Sequence, residues 1–72
     1  MPKRPRYFDI AKVLMKYYGY TLKSRKGRHV WLIDGSGHRA TILATNEQVN
    51  MHNYKSILRQ TGLKEEDIEK YL

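Results

Sequence analysis

The stretch YTLKSRKGRHVWLIDGSGHRATILA, residues 20–44, holds three short runs of strand character joined by two links that contain glycine. HVWLI (29–33) is apolar on both faces and is β-branched or aromatic in most positions. YTLKS (20–24) alternates, with Tyr20 and Leu22 against Thr21 and Lys23, and HRATILA (38–44) sets Ala40 and Ile42 against Thr41 and Leu43. The links RKG and DGSG have the length and glycine content of hairpin turns. A run apolar on both faces, flanked by two that are less so, predicts the middle strand of a three-stranded antiparallel meander.

Helical patterns lie on either side. From Phe8 to Tyr18, the residues Ile10, Val13, Leu14 and Tyr17 recur at the spacing of one helical face, with Lys12 and Lys16 opposite. Asp9 in the first turn suits the helix dipole, and Gly19 supplies a left-handed end. After the polar link TNEQVN (45–50), Asn53 stands where it caps a helix in which Tyr54, Ile57, Leu58 and Thr61 share a face and which Gly62 ends. Glu65, Glu66 and Asp67 open a last short helix with Ile68, Tyr71 and Leu72 apolar and Leu63 packed under it. MPKRPR (1–6), with two prolines, three cations and no periodicity, predicts a flexible basic arm. Residues 1–72 therefore read as a single α+β domain, with both main helices on one sheet face and the other left to water or a partner. That is the α-β-β-β-α plan of the double-stranded-RNA-binding domain.

The formal net charge of +7 is unevenly spread. Residues 1–29 hold nine cations against Asp9 alone, whereas residues 30–72 hold five cations against six acids. Such asymmetry marks a surface for a polyanion, nucleic acid first, with a merely soluble basic surface as the plain alternative. The chain has no cysteine, which excludes a disulfide framework and a thiolate zinc site and fits a reducing cytoplasm. No apolar run approaches the roughly 18 residues of a membrane span, and no signal-peptide pattern is present. The expectation is a cytoplasmic protein with no membrane association.

The chemistry concentrates in KSRKGRH (23–29). A site that acts on a phosphate ester requires a base for a hydroxyl proton and cations for the charge that develops on phosphorus. Histidine suits the first role because its pKa lies near working pH. Lys26, Arg28 and Arg25 beside His29 favour its neutral, basic form and can bear phosphate charge, with Lys23 extending the patch. Gly27 allows a close backbone approach or a positive φ. Without further context, a lone histidine that opens a strand is more often structural or simply exposed. His38 sits beside the DGSG link, where polar residues gather for turn reasons. His52 precedes the late helix, either as an accessory acid or as a residue leading into the cap. The three histidines lack a close metal-ligand spacing, so neither a metal nor a cofactor is expected. Trp31 is the aromatic residue to watch, because its strand faces two ways. On an uncovered face it becomes a base-stacking platform or a protein contact.

These residues also resemble a known family. A helix, Gly19-Tyr20, RKGRHVWL, a DG turn, a short strand, YKSILRQTGL and an acidic short helix are similar to the HicA (YcfA-like) toxins of bacterial and archaeal toxin–antitoxin pairs. The likeness spans nearly the whole chain and is most specific at KSILRQTGL (55–63). It implies a type II toxin that cuts mRNA as a metal-independent endoribonuclease, and a HicB-like antitoxin that covers the active surface. The family's catalytic histidine falls on His29 and its turn glycine on Gly27. Arg28 stands where the family has serine, and Ala44, Thr45 and Asn46 stand where a Pro-x-His is often found. His52-Asn53 replaces a Gly-Thr pair. Two other readings stay open: a non-catalytic RNA-binding module using Lys23, Arg25, Lys26, Gly27 and Arg28 for phosphates alone, and an interaction protein whose nuclease site has decayed.

Overall fold

His29–Ile33 (β2) is the middle strand of an antiparallel sheet, paired on one side with Thr21–Lys26 (β1) and on the other with Arg39–Leu43 (β3). Tyr7–Tyr17 (α1) precedes the sheet, and Met51–Thr61 (α2) and Glu65–Glu69 (α3) follow it. This computed structural model describes residues 4–72. The architecture is the expected α+β one: helix, three-stranded meander and helix, on the plan of the double-stranded-RNA-binding domain, with a short third helix added.

Strand alternation sets the layers. Leu32 of β2 and Ala40 and Ile42 of β3 are buried with Ile10, Val13 and Leu14 of α1 and with Tyr54 and Ile57 of α2. Ile68 of α3 is fully buried in the same core. α3 is further tied to the first helix by the Tyr18 hydroxyl, which donates to the Asp67 carbonyl at 2.7 Å, and by Tyr17 stacked on Tyr71 at 3.8 Å. β1 contributes little, since all of it is exposed and Leu22 keeps 56% of its surface. Tyr20, just ahead of the strand, supplies the burial expected of that segment. On the opposite edge, the Thr41 amide donates to Gln60 Oε1 at 2.9 Å, so α2 caps a donor that the sheet leaves unpaired.

Several boundaries differ from those expected. α1 opens at Tyr7, where the Asp9 carboxylate accepts the Arg6 amide at 3.3 Å. α2 opens a turn earlier than Asn53: Asn50 is the cap, and its Oδ1 accepts the Asn53 amide at 2.8 Å. The physical reason lies one residue upstream. Val49, in what reads as a polar link, is fully buried, and with Tyr54 it brackets the helix start as a hydrophobic staple. Asn53 ties the elements together instead, donating its side-chain amide to the Tyr7 hydroxyl at 2.8 Å. Gly62 ends α2 in the left-handed conformation, as expected.

Of the segment read as a flexible basic arm, residues 1–3 lie outside the described residues and residues 4–6 run along the 46–49 loop. Pro5 is buried, and its carbonyl accepts the Val49 amide at 3.0 Å. Arg6 bridges Gln48, and its guanidinium donates to the Asn46 carbonyl at 2.6 Å. A short antiparallel bridge to the 46–49 loop therefore holds this segment. Among the described residues, no helix is long and apolar enough to cross a membrane.

Candidate functional site

The link between β1 and β2 is tighter than RKG. Lys26 pairs with His29, which leaves a two-residue turn of Gly27 and Arg28. A φ of +59° at Gly27, with no positive φ at Arg28, is the pattern of a type II′ hairpin. A side chain at position 27 would be strained, so glycine is required there by the backbone alone.

A bulge upstream decides which cation meets the histidine. The register shifts between Leu22 and Ser24, leaving Lys23 unpaired. Leu22 pairs with Leu32, and an unbroken ladder would carry on to set Arg25 opposite His29. The extra residue moves Arg25 opposite Val30 and brings Lys26 opposite His29. Arg25, expected at the site, is thereby turned to the other face. It lines an apolar depression with Phe8, Met15 and Leu22, and its Nε donates to the Gly27 carbonyl at 3.2 Å. In this position it buttresses the turn and does not stand across the ladder from His29.

His29 and Trp31 alternate against the buried Leu32 and so point to the face that the helices leave open. Their rings lie 6.0 Å apart between centroids and 25° from parallel. Lys26 and Ser24 stand across the ladder on the same face. Lys26, Gly27, Arg28, His29 and Trp31 line one shallow depression of about 530 Å³. Lys23 and Arg39 flank Trp31 around a second, of about 240 Å³. Among the described residues, the one ion pair within 4.0 Å is His38 with Asp34, so no carboxylate neutralises any of these cations. An uncompensated cationic face of this kind concentrates phosphates at its surface.

His29 also borders a third depression, of about 320 Å³, on its other side. Tyr7, Thr41, Asn53, Ser56, Ile57 and Gln60 form its walls. Apart from His29, this groove carries no lysine, arginine, aspartate or glutamate.

The remaining histidines separate cleanly. His38 serves its turn: Asp34 Oδ1 accepts the Ser36 and His38 amides at 3.0 and 2.8 Å, and Oδ2 meets His38 Nδ1 at 3.1 Å. Desolvation opposes ionisation of Asp34, but those amides and the His38 ring outweigh it and hold the carboxyl below its ordinary value. His52 lies exposed in the first turn of α2 and does not line the groove that His29 borders. Arg39, Ser56 and Gln60 also line these depressions, though nothing in the sequence singles them out as a group. For Arg39 a signal existed, since the alternation that pairs Thr41 with Leu43 also puts Arg39 on their face. Among the described residues, no group of three His, Cys, Asp or Glu side chains converges as a metal ion would need. No family model matches the chain, and no curated protein matches it either.

Proposed function

We propose that this chain is a HicA-like toxin of a type II toxin–antitoxin pair, a metal-independent endoribonuclease that acts on mRNA with His29 as general base. The observation that carries the reading is the juxtaposition on the open sheet face: one exposed imidazole beside Trp31, with Lys26 and Arg28 around it and no carboxylate to neutralise them. His29 takes the proton of a ribose 2′-hydroxyl as that oxygen attacks phosphorus. Lys26 and Arg28 bear the added charge on the phosphoryl oxygens. The bond to the 5′-oxygen breaks, that oxygen leaves with a proton from solvent, and His29 returns its own proton to solvent. The products are a 2′,3′-cyclic phosphate and a 5′-hydroxyl end. The RNA-binding set on this face is Lys23, Lys26, Gly27, Arg28 and Trp31, joined by Arg39.

The half-buried Trp31 amid cations also suits an acidic protein surface, and a HicB-like antitoxin seated there would silence the enzyme by covering His29. The cytoplasm is the corresponding place of action. One observation favours the rival, a non-catalytic RNA-binding module: the His29 ring has no protein hydrogen bond among the described residues, unlike the tethered ring of His38. Products from an RNA incubated with chelator separate the two readings, because the binding module yields none.

A further inference from the structure

We propose that the groove between the sheet and α2 is a nucleoside subsite, which takes the ribose and base that carry the attacking 2′-hydroxyl. This rests on the reading of His29 as the base. His29 borders two depressions, one edged by cations and one that holds none besides the imidazole itself. On the hairpin side stand Lys26 and Arg28, suited to a phosphate. On the helix side stand neutral polar groups over an apolar floor of Leu43 and Ile57, suited to an uncharged sugar and base. A nucleotide divides in the same way, into an anionic phosphate and a neutral nucleoside. A 3′-phosphate over the hairpin leaves its own nucleoside to the groove, with the 2′-hydroxyl at the boundary where His29 sits. The volume, about 320 Å³, is at the small end of ligand sites and fits one nucleoside better than two.

The polar groups are held ready. Asn53, Ser56 and Gln60 follow one another along one side of α2. Gln60 Oε1 accepts the Thr41 amide, which fixes the orientation of the side-chain amide and leaves its NH₂ without a hydrogen bond among the described residues. It calls for an acceptor, such as a base carbonyl or ring nitrogen. Asn53 is fixed by its bond to the Tyr7 hydroxyl. The Ser56 hydroxyl has no side-chain hydrogen bond among the described residues and can serve as donor or acceptor.

The test is an NMR titration of the chain with nucleoside 3′-monophosphates, 5′-monophosphates and inorganic phosphate. None of these is a cleavable substrate, so the result does not depend on turnover. The 3′-nucleotides are expected to shift both the Lys26–His29 amides and the side-chain amides of Asn53 and Gln60; phosphate alone shifts only the hairpin. Ser56→Leu, which fills the groove, should weaken the 3′-nucleotide at least about tenfold while leaving the phosphate response intact. Gln60→Glu keeps an acceptor for the Thr41 amide but removes the donor, and should reduce the preference for 3′- over 5′-nucleotides. If 3′- and 5′-nucleotides give the same shifts confined to the hairpin, or Ser56→Leu binds like wild type, the subsite is overturned and the phosphate site stands. If no nucleotide shifts any resonance, the RNA reading of His29 falls with it.

Discussion

The imidazole of His29 lies beside the indole of Trp31 at a centroid separation of 6.0 Å, both on the sheet face opposite the core. Trp31 is the chain's single tryptophan, so its fluorescence reports on this site alone. Single-stranded RNA is expected to quench that emission. Trp31→Ala should weaken RNA binding by about 1–3 kcal/mol, the range for loss of one stacked base. Unchanged emission and affinity would remove Trp31 from the RNA surface.

The bulge at Lys23 makes a prediction about charge. Lys26→Ala and Arg28→Ala should each weaken RNA binding for all sequences and lower the slope of log K against log salt by roughly 1. Arg25→Ala should change that slope less, because Arg25 faces the apolar depression on the other side. Equal slopes for all three variants would mean that RNA does not distinguish the two faces.

Asn50 carries the start of α2. Asn50→Ala should cost about 1 kcal/mol, and Asn50→Asp should restore most of it. For a domain of this size the alanine variant then melts roughly 4–8 °C lower. A helix that began at Asn53 would leave Asn50→Ala without effect.

Strand order and the helical faces follow from local periodicity, which is why Ile10, Val13, Leu14, Tyr54, Ile57 and Thr61 are buried where their spacing puts them, whereas Tyr17, read on the first of these faces, is exposed and stacks on Tyr71. The cap falls on Asn50, three residues before the Asn53 that the helical pattern favours, because Val49, an apolar residue in a polar stretch, is buried, which is a tertiary fact. The hairpin cations were visible, but their division between two faces depends on one unpaired residue in β1. No local pattern marks a bulge at a lysine. The groove polar groups come from α2, and only the packing of that helix against the β3 edge brings Ser56 and Gln60 beside His29.

Tyr54 offers a test of the core. Its hydroxyl is buried without a hydrogen-bond partner, and burial first, then the Glu69 and Glu65 carboxylates, push its pKa up to about 12. In the unfolded chain the proton leaves near the ordinary value of about 10. Between those values the unfolded state binds fewer protons than the folded one, so stability is full below about pH 10 and falls as pH rises toward 12. Tyr18 and Tyr20, also raised by burial, add to the fall. Tyr54→Phe removes an unsatisfied polar group at constant shape. It is expected to be neutral or stabilising by about 1 kcal/mol at neutral pH and to flatten the alkaline loss, as read by denaturant melts across pH. A large destabilisation would mean that the hydroxyl has a partner.

Cleavage of RNA in excess chelator, by wild type and by His29→Ala, tests the central claim most directly. Wild type should yield fragments with 2′,3′-cyclic phosphate ends. His29→Ala should lose at least about 100-fold in rate, in the range for removal of a general base, while its RNA affinity stays within a few fold. His38→Ala, whose ring serves only the Asp34 turn, should cut like wild type. Full cleavage by His29→Ala, or intact RNA after incubation with wild type, would contradict the assignment of this face as a ribonuclease site.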